Sequence, residues 1–82
     1  MNTVVHVQPM DGYKLRLTFA DGLTATVEVR SLIGKGFTQE LLDEDRFREV
    51  ATEPGGGVSW PNGFDLCPEF LHDLATKRQA AA

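Results

Sequence analysis

Residues 13–29, YKLRLTFADGLTATVEV, contain two runs of alternating apolar and polar residues on either side of a glycine-containing turn. The apolar positions of the two runs are Tyr13, Leu15, Leu17, Phe19, Leu23, Ala25, Val27 and Val29. Side chains alternate between the two faces of a strand, so all of these positions share one face. The pattern therefore predicts a β-hairpin with one buried face and one polar face.

The register of this hairpin follows from the need to place apolar residues opposite apolar residues. A two-residue loop at 21–22 would set Phe19 against Thr24 and mix the faces. A three-residue loop at 20–22 sets Phe19 against Leu23, with the glycine at its end taking a positive φ. We predict the three-residue loop.

A third alternating run precedes the hairpin, with Val5 and Val7 on its apolar side. The link at 10–12 repeats the X-Asp-Gly pattern of the hairpin turn, so a second three-residue loop is predicted. That loop would pair Val7 with Leu15 and Val5 with Leu17. The whole segment then reads as a three-stranded antiparallel meander, with Val5 in its core.

The polar residues of the three strands share the face that the core leaves uncovered, which we call the open face. Its predicted cross-strand rows are His6, Arg16, Thr26 and Gln8, Lys14, Glu28. Placing Lys14 opposite Glu28 predicts a cross-strand ion pair. Antiparallel sheets commonly leave one face in water, so the open face is either a solvated surface or a binding surface.

The sequence pattern after the meander predicts short helical segments and a short hairpin. Residues 37–50 have helix-like apolar spacing that is broken at the acidic run 43–45, which predicts two short helical pieces, the second capped by Asp43 or Asp45. Residues 50–60 predict a second, shorter hairpin around three glycines.

A C-terminal helix is predicted to begin at Pro68, which suits the first helical position, and to end near 77–78. Its apolar stripe, expected to cover the meander, consists of Phe70, Leu71 and Leu74. Residues 79–82 are expected to be a frayed tail.

The sequence therefore predicts one α+β domain over residues 1–78. The expected architecture is a three-stranded antiparallel meander plus a short second hairpin, packed against a C-terminal helix and short helical segments. A chain of 82 residues has room for one such domain.

Composition excludes several classes of protein. With 41% hydrophobic and 24% charged residues, the chain has globular rather than disordered character. It contains no apolar run of transmembrane length, and its start lacks the pattern of a secretory signal, so we expect a cytoplasmic protein without a membrane partner. The net charge of −4 disfavours nucleic acid unless the few cations share one patch.

Two segments invite comparison with ligand sites and do not match them. Residues 34–36, Gly-Lys-Gly, lack the longer glycine frame and the following Ser or Thr of a phosphate-binding loop. The acids at 43–45 lack the ligand spacing and the glycine of a calcium loop. The single cysteine permits neither an internal disulfide nor a cysteine-based zinc site. We expect no cofactor and no metal.

Cys67 is the sharpest catalytic candidate, because it precedes Pro68 at a helix start, where a helix dipole can activate a thiol. It needs a base, yet His72 lies five positions on and His6 is expected on the far face of the sheet. The alternative is that Cys67 is a small, half-buried residue at the helix entrance. We expect no catalytic residues.

The segment before the C-terminal helix offers other candidates. Asp65 and Glu69 are either an acid/base pair or, for Asp65, an acceptor of hydrogen bonds from the turn or the first helical amides. Trp60 is either an interface anchor or a core residue. Together with the open face, this segment supplies the possible interaction surface: His6, Lys14, Arg16, Thr26, Trp60, Asn62 and Asp65.

An ordered set of residues across nearly the whole chain carries a family resemblance. It runs from Tyr13-x-Leu15-x-Leu17-x-Phe19-x-Asp21-Gly22, through Phe37, Leu41, Phe47 and Val50, to Val58-x-Trp60-Pro61-Asn62-Gly63-x-Asp65-Leu66-x-Pro68-Glu69-x-Leu71. This set resembles the bacterial family called domain of unknown function 2442, with mild departures at Glu28 and His72.

The resemblance implies a small α+β domain, found alone or joined to a helix-turn-helix domain and often encoded beside another small protein. That arrangement suggests a toxin–antitoxin or regulatory pair. The family has no established catalytic residues, so none is assigned here.

We therefore expect a non-catalytic interaction or regulatory module, the antitoxin-like or regulatory member of a small bacterial protein pair. Its partner would be a small protein or a second copy, bound through the open face or an exposed edge strand. Two alternatives stay open. One is a nucleic-acid-binding or transcription-associated accessory domain that uses His6, Lys14 and Arg16. The other is a thiol-dependent enzyme that uses Cys67.

Overall fold

The computed structural model describes residues 3–81, with side chains described for residues 3–77. Its strands are β1 (Val4–Met10), β2 (Lys14–Phe19), β3 (Thr24–Glu28), β4 (Ala51–Thr52), β5 (Val58–Ser59) and β6 (Asp65–Leu66). Its α-helices are α1 (Glu44–Phe47) and α2 (Pro68–Ala81). Two segments of 3₁₀ helix, Arg30–Leu32 and Gly36–Leu42, lie between β3 and α1.

The described strands form two antiparallel sheets, in the orders β1-β2-β3 and β4-β5-β6. The predicted α+β class, meander, second hairpin and C-terminal helix are confirmed. The sequence analysis missed β6, whose residue Leu66 pairs with Val58 and adds a third strand to the second hairpin. A two-residue strand is too short to show alternation, so its pattern carried no signal.

The β2–β3 hairpin has the predicted register, with Leu15 opposite Val27 and Leu17 opposite Ala25. Its turn closes with a hydrogen bond from the Gly22 N–H to the Phe19 carbonyl at 2.9 Å. Gly22 has φ +94°, a left-handed conformation that costs glycine little and other residues more. The three-residue loop is confirmed.

The predicted β1–β2 register is wrong by two residues. Val7 lies opposite Leu17, and Pro9 rather than Val7 lies opposite Leu15. Strand β1 runs on through Met10, so the loop consists of residues 11–13 instead of 10–12. A shift of two residues keeps every side chain on its own face, which is why alternation did not distinguish the two registers.

A β-bulge between Val4 and His6 overturns the predicted burial of Val5. The extra residue reverses the alternation, so Val4 is 3% exposed in the core while Val5 is 56% exposed. Two bonds fix the chain before the bulge: the Val4 N–H donates to the Gly56 carbonyl at 2.7 Å, and the Thr3 carbonyl accepts from the Ala20 N–H at 2.7 Å.

The core joins the covered side of the meander to the second sheet and the helices. Its buried apolar members are Val4, Leu15, Leu17, Phe19, Val27, Val29, Ile33, Leu41, Phe47, Val50, Val58, Trp60, Leu66, Leu71 and Ala75. Helix α2 packs against β3. Among the α2 residues up to 77, Leu71 and Ala75, one helical turn apart, have no exposed surface. Phe70, predicted to belong to this stripe, is 41% exposed, because the next residue on a helix lies about 100° round the axis.

The two short helical pieces are confirmed, and so is the cap of the second. The Asp43 carboxylate accepts a hydrogen bond from the Asp45 N–H at 3.0 Å at the start of α1. The first piece is 3₁₀ helix, in which residues three apart share a side, so Thr38 and Leu41 are both buried. Phe37 falls outside that side and is 61% exposed.

Helix α2 begins at Pro68 as predicted and continues in its backbone to Ala81, past the end expected near 77–78. The predicted frayed tail, 79–82, includes residue 82 and side chains that lie outside the described residues, and it stays a prediction. Within residues 3–81 no helix combines the length and apolar character that crossing a membrane requires.

The bulge predicts effects of very different size for substitutions at two adjacent valines. Val4→Ala should lower the free energy of unfolding by about 2 kcal/mol, because it removes two buried methyl groups and leaves a cavity. Val5→Ala should change it by less than about 0.5 kcal/mol. Urea unfolding of both variants tests this, and an equal or larger loss for Val5→Ala would contradict the bulge.

Candidate interaction surface

The open face is built by strand alternation around β2, the central strand of the meander. Leu15 and Leu17 are fully buried on the covered side, which directs Lys14 and Arg16 to the other side, where both are exposed. The rows that cross the open face are His6–Thr18–Thr24, Gln8–Arg16–Thr26 and Met10–Lys14–Glu28. Because of the two-residue shift of β1, His6 lies in the row of Thr18 rather than in the predicted row of Arg16.

The charges of this face are concentrated on β2. Lys14 and Arg16 lie two residues apart and point to the same side, whereas the acid of the face, Glu28, lies at the end of β3. The predicted Lys14–Glu28 ion pair is not formed: the residues are opposite in register, but in the described part of the chain no carboxylate oxygen lies within 4.0 Å of the Lys14 or Arg16 nitrogens.

Three cations elsewhere do have carboxylate neighbours. Arg48 lies 2.7 Å from Asp11, and Lys77 lies 3.1 Å from Asp73. Arg46 has Glu49 at 3.9 Å. Lys14 and Arg16 thus form a small positive patch on a chain whose net charge is −4.

The other predicted surface residues do not join the open face. Trp60 is a core residue, 3% exposed, and its indole N–H donates to the Phe47 carbonyl at 2.8 Å. Of the two alternatives for Trp60, the core residue is therefore confirmed, and its place in the predicted interaction surface is wrong. The indole also packs against the rings of Phe47 and Phe64, at centroid distances of 5.8 Å and 5.4 Å.

Asn62 holds the turn that precedes β6. Its side-chain oxygen accepts from the Phe64 N–H at 3.0 Å, and its amide group donates to the Phe37 carbonyl at 3.2 Å. Asp65 was predicted to accept hydrogen bonds from the amides of this turn or from the first amides of α2. It lies in β6 instead, with an exposed side chain that hydrogen-bonds to no other residue of 3–77. Its neighbour Leu66 points inward, so alternation turns Asp65 outward.

An exposed aromatic contact lies beside this turn. The ring of Phe37 packs edge-to-face on Phe64, with the centroids 6.2 Å apart. The sequence analysis missed it because it placed Phe37 on the apolar side of a helix. The signal available was the glycine on either side of Lys35, which favours irregular backbone over a regular α-helix.

The second missed interaction links α2 to the β2–β3 turn. His72 Nε2 lies 2.9 Å from Asp21 Oδ2, and the imidazole ring packs edge-to-face on Phe19 at a centroid distance of 4.8 Å. The other Asp21 oxygen accepts from the Leu23 N–H at 3.0 Å. The hydrogen bond from Leu23, and then that from His72, lower the pKa of the Asp21 carboxyl below its ordinary 3.8.

The thiol candidate, Cys67, is exposed at the start of α2, where its carbonyl accepts from the Leu71 N–H. No side chain of the described residues hydrogen-bonds to its sulfur, and His72, five positions further along the chain, is engaged with Asp21. Likewise, within the described residues, no three His, Cys, Asp or Glu side chains are grouped closely enough to hold a metal ion.

Comparison with known proteins places this fold in one family. The family model described as "Protein of unknown function (DUF2442)" matches residues 4–77, from the start of β1 into α2. The chain belongs to the DUF2442 family. No curated protein matches it, and no solved structure does.

For this DUF2442 protein, the match spans both sheets and α2 as far as residue 77. The second sheet and the turn held by Asn62 are therefore parts of the family domain rather than additions to it. The open face and the Asp21–His72 contact both lie inside the matched region.

The Asp21 interactions predict a dependence of stability on pH. A carboxyl whose pKa is lower in the folded state stabilises that state above the unfolded-state pKa, near 3.8, and this contribution is lost as the pH falls through the folded-state value. The difference in unfolding free energy between the wild type and Asp21→Asn should therefore shrink as the pH falls from 6 to 2.5. Urea unfolding at several pH values measures it, and a constant difference would contradict the assignment.

Proposed function

We propose that this DUF2442 chain is a non-catalytic protein-interaction module that docks a partner protein on its open face. The observation that supports this most is the pair of neighbouring cations, Lys14 and Arg16, exposed on the central strand and without a carboxylate neighbour in the described residues. The main chain of β2 is paired with a strand on each side, so the backbone positions from which the two cations project are fixed.

The charge of the patch indicates the chemistry of the partner. A surface that carries Asp or Glu can pair with Lys14 and Arg16 and gain both attraction and orientation, particularly through the fork of the guanidinium group. The polar neighbours Gln8 and Thr26 lie on either side of Arg16 and can hydrogen-bond with the same partner. A partner with an acidic, hydrogen-bonding surface fits this face.

The biological role that we propose is the regulatory or antitoxin-like member of a small bacterial protein pair, acting in the cytoplasm. Support comes from what the family resemblance implies, which is a small domain often encoded beside a second small protein. Two groups that could take part in acid–base chemistry make structural contacts instead: His72 ties α2 to the β2–β3 turn, and Asp11 pairs with Arg48. This use of the two side chains agrees with a binding role.

Reversal of the two charges tests the docking surface. The double variant Lys14→Glu, Arg16→Glu should lose a partner captured from the source cells by at least about tenfold, because two attractive contacts become repulsive. The measurement is quantitative mass spectrometry of proteins retained by the immobilised wild type and its variants.

A matched control separates this effect from a change in net charge. The double variant Arg46→Glu, Lys77→Glu alters the net charge by the same amount, on α1 and α2, and should retain the partner. Equal loss from both variants, or equal retention by both, would contradict the proposal.

A nucleic acid is the second candidate, because the same two cations, with His6 on the same face, can contact phosphates. Two such contacts would give a slope of log affinity against log salt concentration of about −2. Filter binding of duplex DNA over 20–200 mM salt distinguishes the candidates: a slope of this size that is lost in Lys14→Glu, Arg16→Glu favours nucleic acid, and no binding favours the protein partner.

A further inference from the structure

The two edge strands of the meander, β1 and β3, differ in whether their outer main-chain groups are available to pair with a further strand. Hydrogen bonds from the Phe19 N–H to the Leu23 carbonyl and from the Val29 N–H to the Tyr13 carbonyl show that the odd-numbered residues of β3 face β2. In an antiparallel pair the alternate residues direct their N–H and C=O groups the other way. The main-chain groups of Thr26 and Glu28 therefore point out of the sheet.

The outer edge of β1 is closed. There the outward groups belong to Val7 and Pro9, and proline has no N–H to offer an added strand. The bulge bends the strand, and beyond it the Val4 N–H is already bonded to Gly56. Proline and bulges are the devices by which sheets prevent further pairing.

The outer edge of β3 has neither device. Thr26 and Glu28 are exposed, and nothing else in the described chain hydrogen-bonds to either residue. Strand β3 pairs only with β2 among the strands described. On its covered side, Leu23 and Ala25 are only partly buried, although Val27 and Val29 are fully buried. The edge therefore combines available main-chain groups with incompletely covered apolar side chains.

We propose that this edge binds a second copy of the chain, with the two β3 strands antiparallel about a two-fold axis at Thr26. In this register each Thr26 exchanges two main-chain hydrogen bonds with its counterpart. Ala25 lies opposite Val27 of the partner subunit, and Leu23 opposite Val29 of the partner subunit. The apolar positions of both strands then share the covered side, where Leu23 and Ala25 have exposed surface left to bury, and the polar side chains remain on the open face.

Charge and symmetry select this occupant and this register. A two-fold pairing is self-complementary, so one strand must fit itself, and β3 does so without placing like charges opposite each other. A register centred on Glu28 would put two carboxylates face to face, which is unfavourable. A register centred on Thr26 puts Glu28 at the ends of the pairing, against Thr24 of the partner subunit.

The dimer would extend the meander to six strands and bring the two open faces into one surface. Lys14 and Arg16 of both copies would then lie on the same side of a continuous sheet. The inference does not rest on the proposed function, because strand pairing needs no partner of another kind.

Sedimentation equilibrium of the full chain tests the dimer. Thr26→Pro removes the outward N–H without touching the bonds between β3 and β2, so it should weaken dimerisation by more than about tenfold and keep the folded circular dichroism spectrum. Thr26→Val, the matched control, keeps the N–H and the branched side chain and should dimerise like the wild type. A wild type that is monomeric at millimolar concentration, or a Thr26→Pro variant that dimerises equally well, would overturn the proposal.

Mixing two charged variants tests the register. It also tests dimerisation through β3 if Thr26→Pro folds poorly. Thr26→Lys and Thr26→Glu each place like charges opposite each other at the axis, so each alone should dimerise at least about threefold more weakly than the wild type. An equimolar mixture should restore association through heterodimers. Equal association of the separate variants and the mixture would exclude pairing at Thr26.

Salt and hydrogen exchange provide independent readouts. Each copy carries a net charge of −4, so added salt should strengthen the dimer, whereas it should weaken binding of an acidic partner to Lys14 and Arg16. The Thr26 amide should exchange more slowly as the protein concentration rises. Exchange that is independent of concentration would contradict the dimer and leave the proposed function unaffected.

Discussion

Burial of one face of β2 is the constraint on which the rest of the structure depends. Leu15, Leu17 and Phe19 are almost completely buried, and each such side chain contributes roughly 1.5–3 kcal/mol when it leaves water. Because alternate side chains of a strand point to opposite faces, burial of these three directs Lys14 and Arg16 into solvent. The core and the candidate docking surface are thus two consequences of one pattern.

The two loops at the ends of β2, each of which contains an Asp-Gly pair, connect the meander to the helices in similar ways. In one loop Asp11 pairs with Arg48 at the end of α1, and in the other Asp21 pairs with His72 on α2. Exposed pairs of this kind contribute little to stability. They do fix orientation, so each end of the central strand is tied to a different helix. Tyr13 strengthens the first connection, since its hydroxyl donates to the Leu42 carbonyl and its ring packs against Phe47.

Strong local patterns made much of this fold predictable from the sequence. The β2–β3 register followed from seven-residue alternation on both sides of one turn, and Pro68 and Asp43 marked helix starts by well-defined capping chemistry. The β1–β2 register did not follow from the sequence, because moving the loop from 10–12 to 11–13 shifts the pairing by two residues. Such a shift leaves every side chain on the same face of the sheet. The bulge at Val5 depends on bonds to Gly56 and Ala20, which are remote in sequence.

The parts of the candidate surface that follow from local patterns were predicted, and those that depend on contacts between distant residues were missed. Alternation alone placed His6, Lys14, Arg16 and Thr26 on one face. Trp60 was ambiguous, because a large aromatic residue suits a core and an interface equally well, and only its contacts with Phe47 and Phe64 decide between them. The contact between Asp21 and His72 spans 51 residues, and no local pattern indicates it.

The placement of the histidines bears on the chemistry that this domain can perform. His6 projects from the open face, while α2, which carries Cys67 at its start, packs on the covered side of β3. The other imidazole, His72, uses Nε2 to hold Asp21 and its ring to cover Phe19. A thiol mechanism with His72 as its base would have to release this imidazole from both contacts. Binding requires no such rearrangement, because the strand edge and the cations of β2 are already in position.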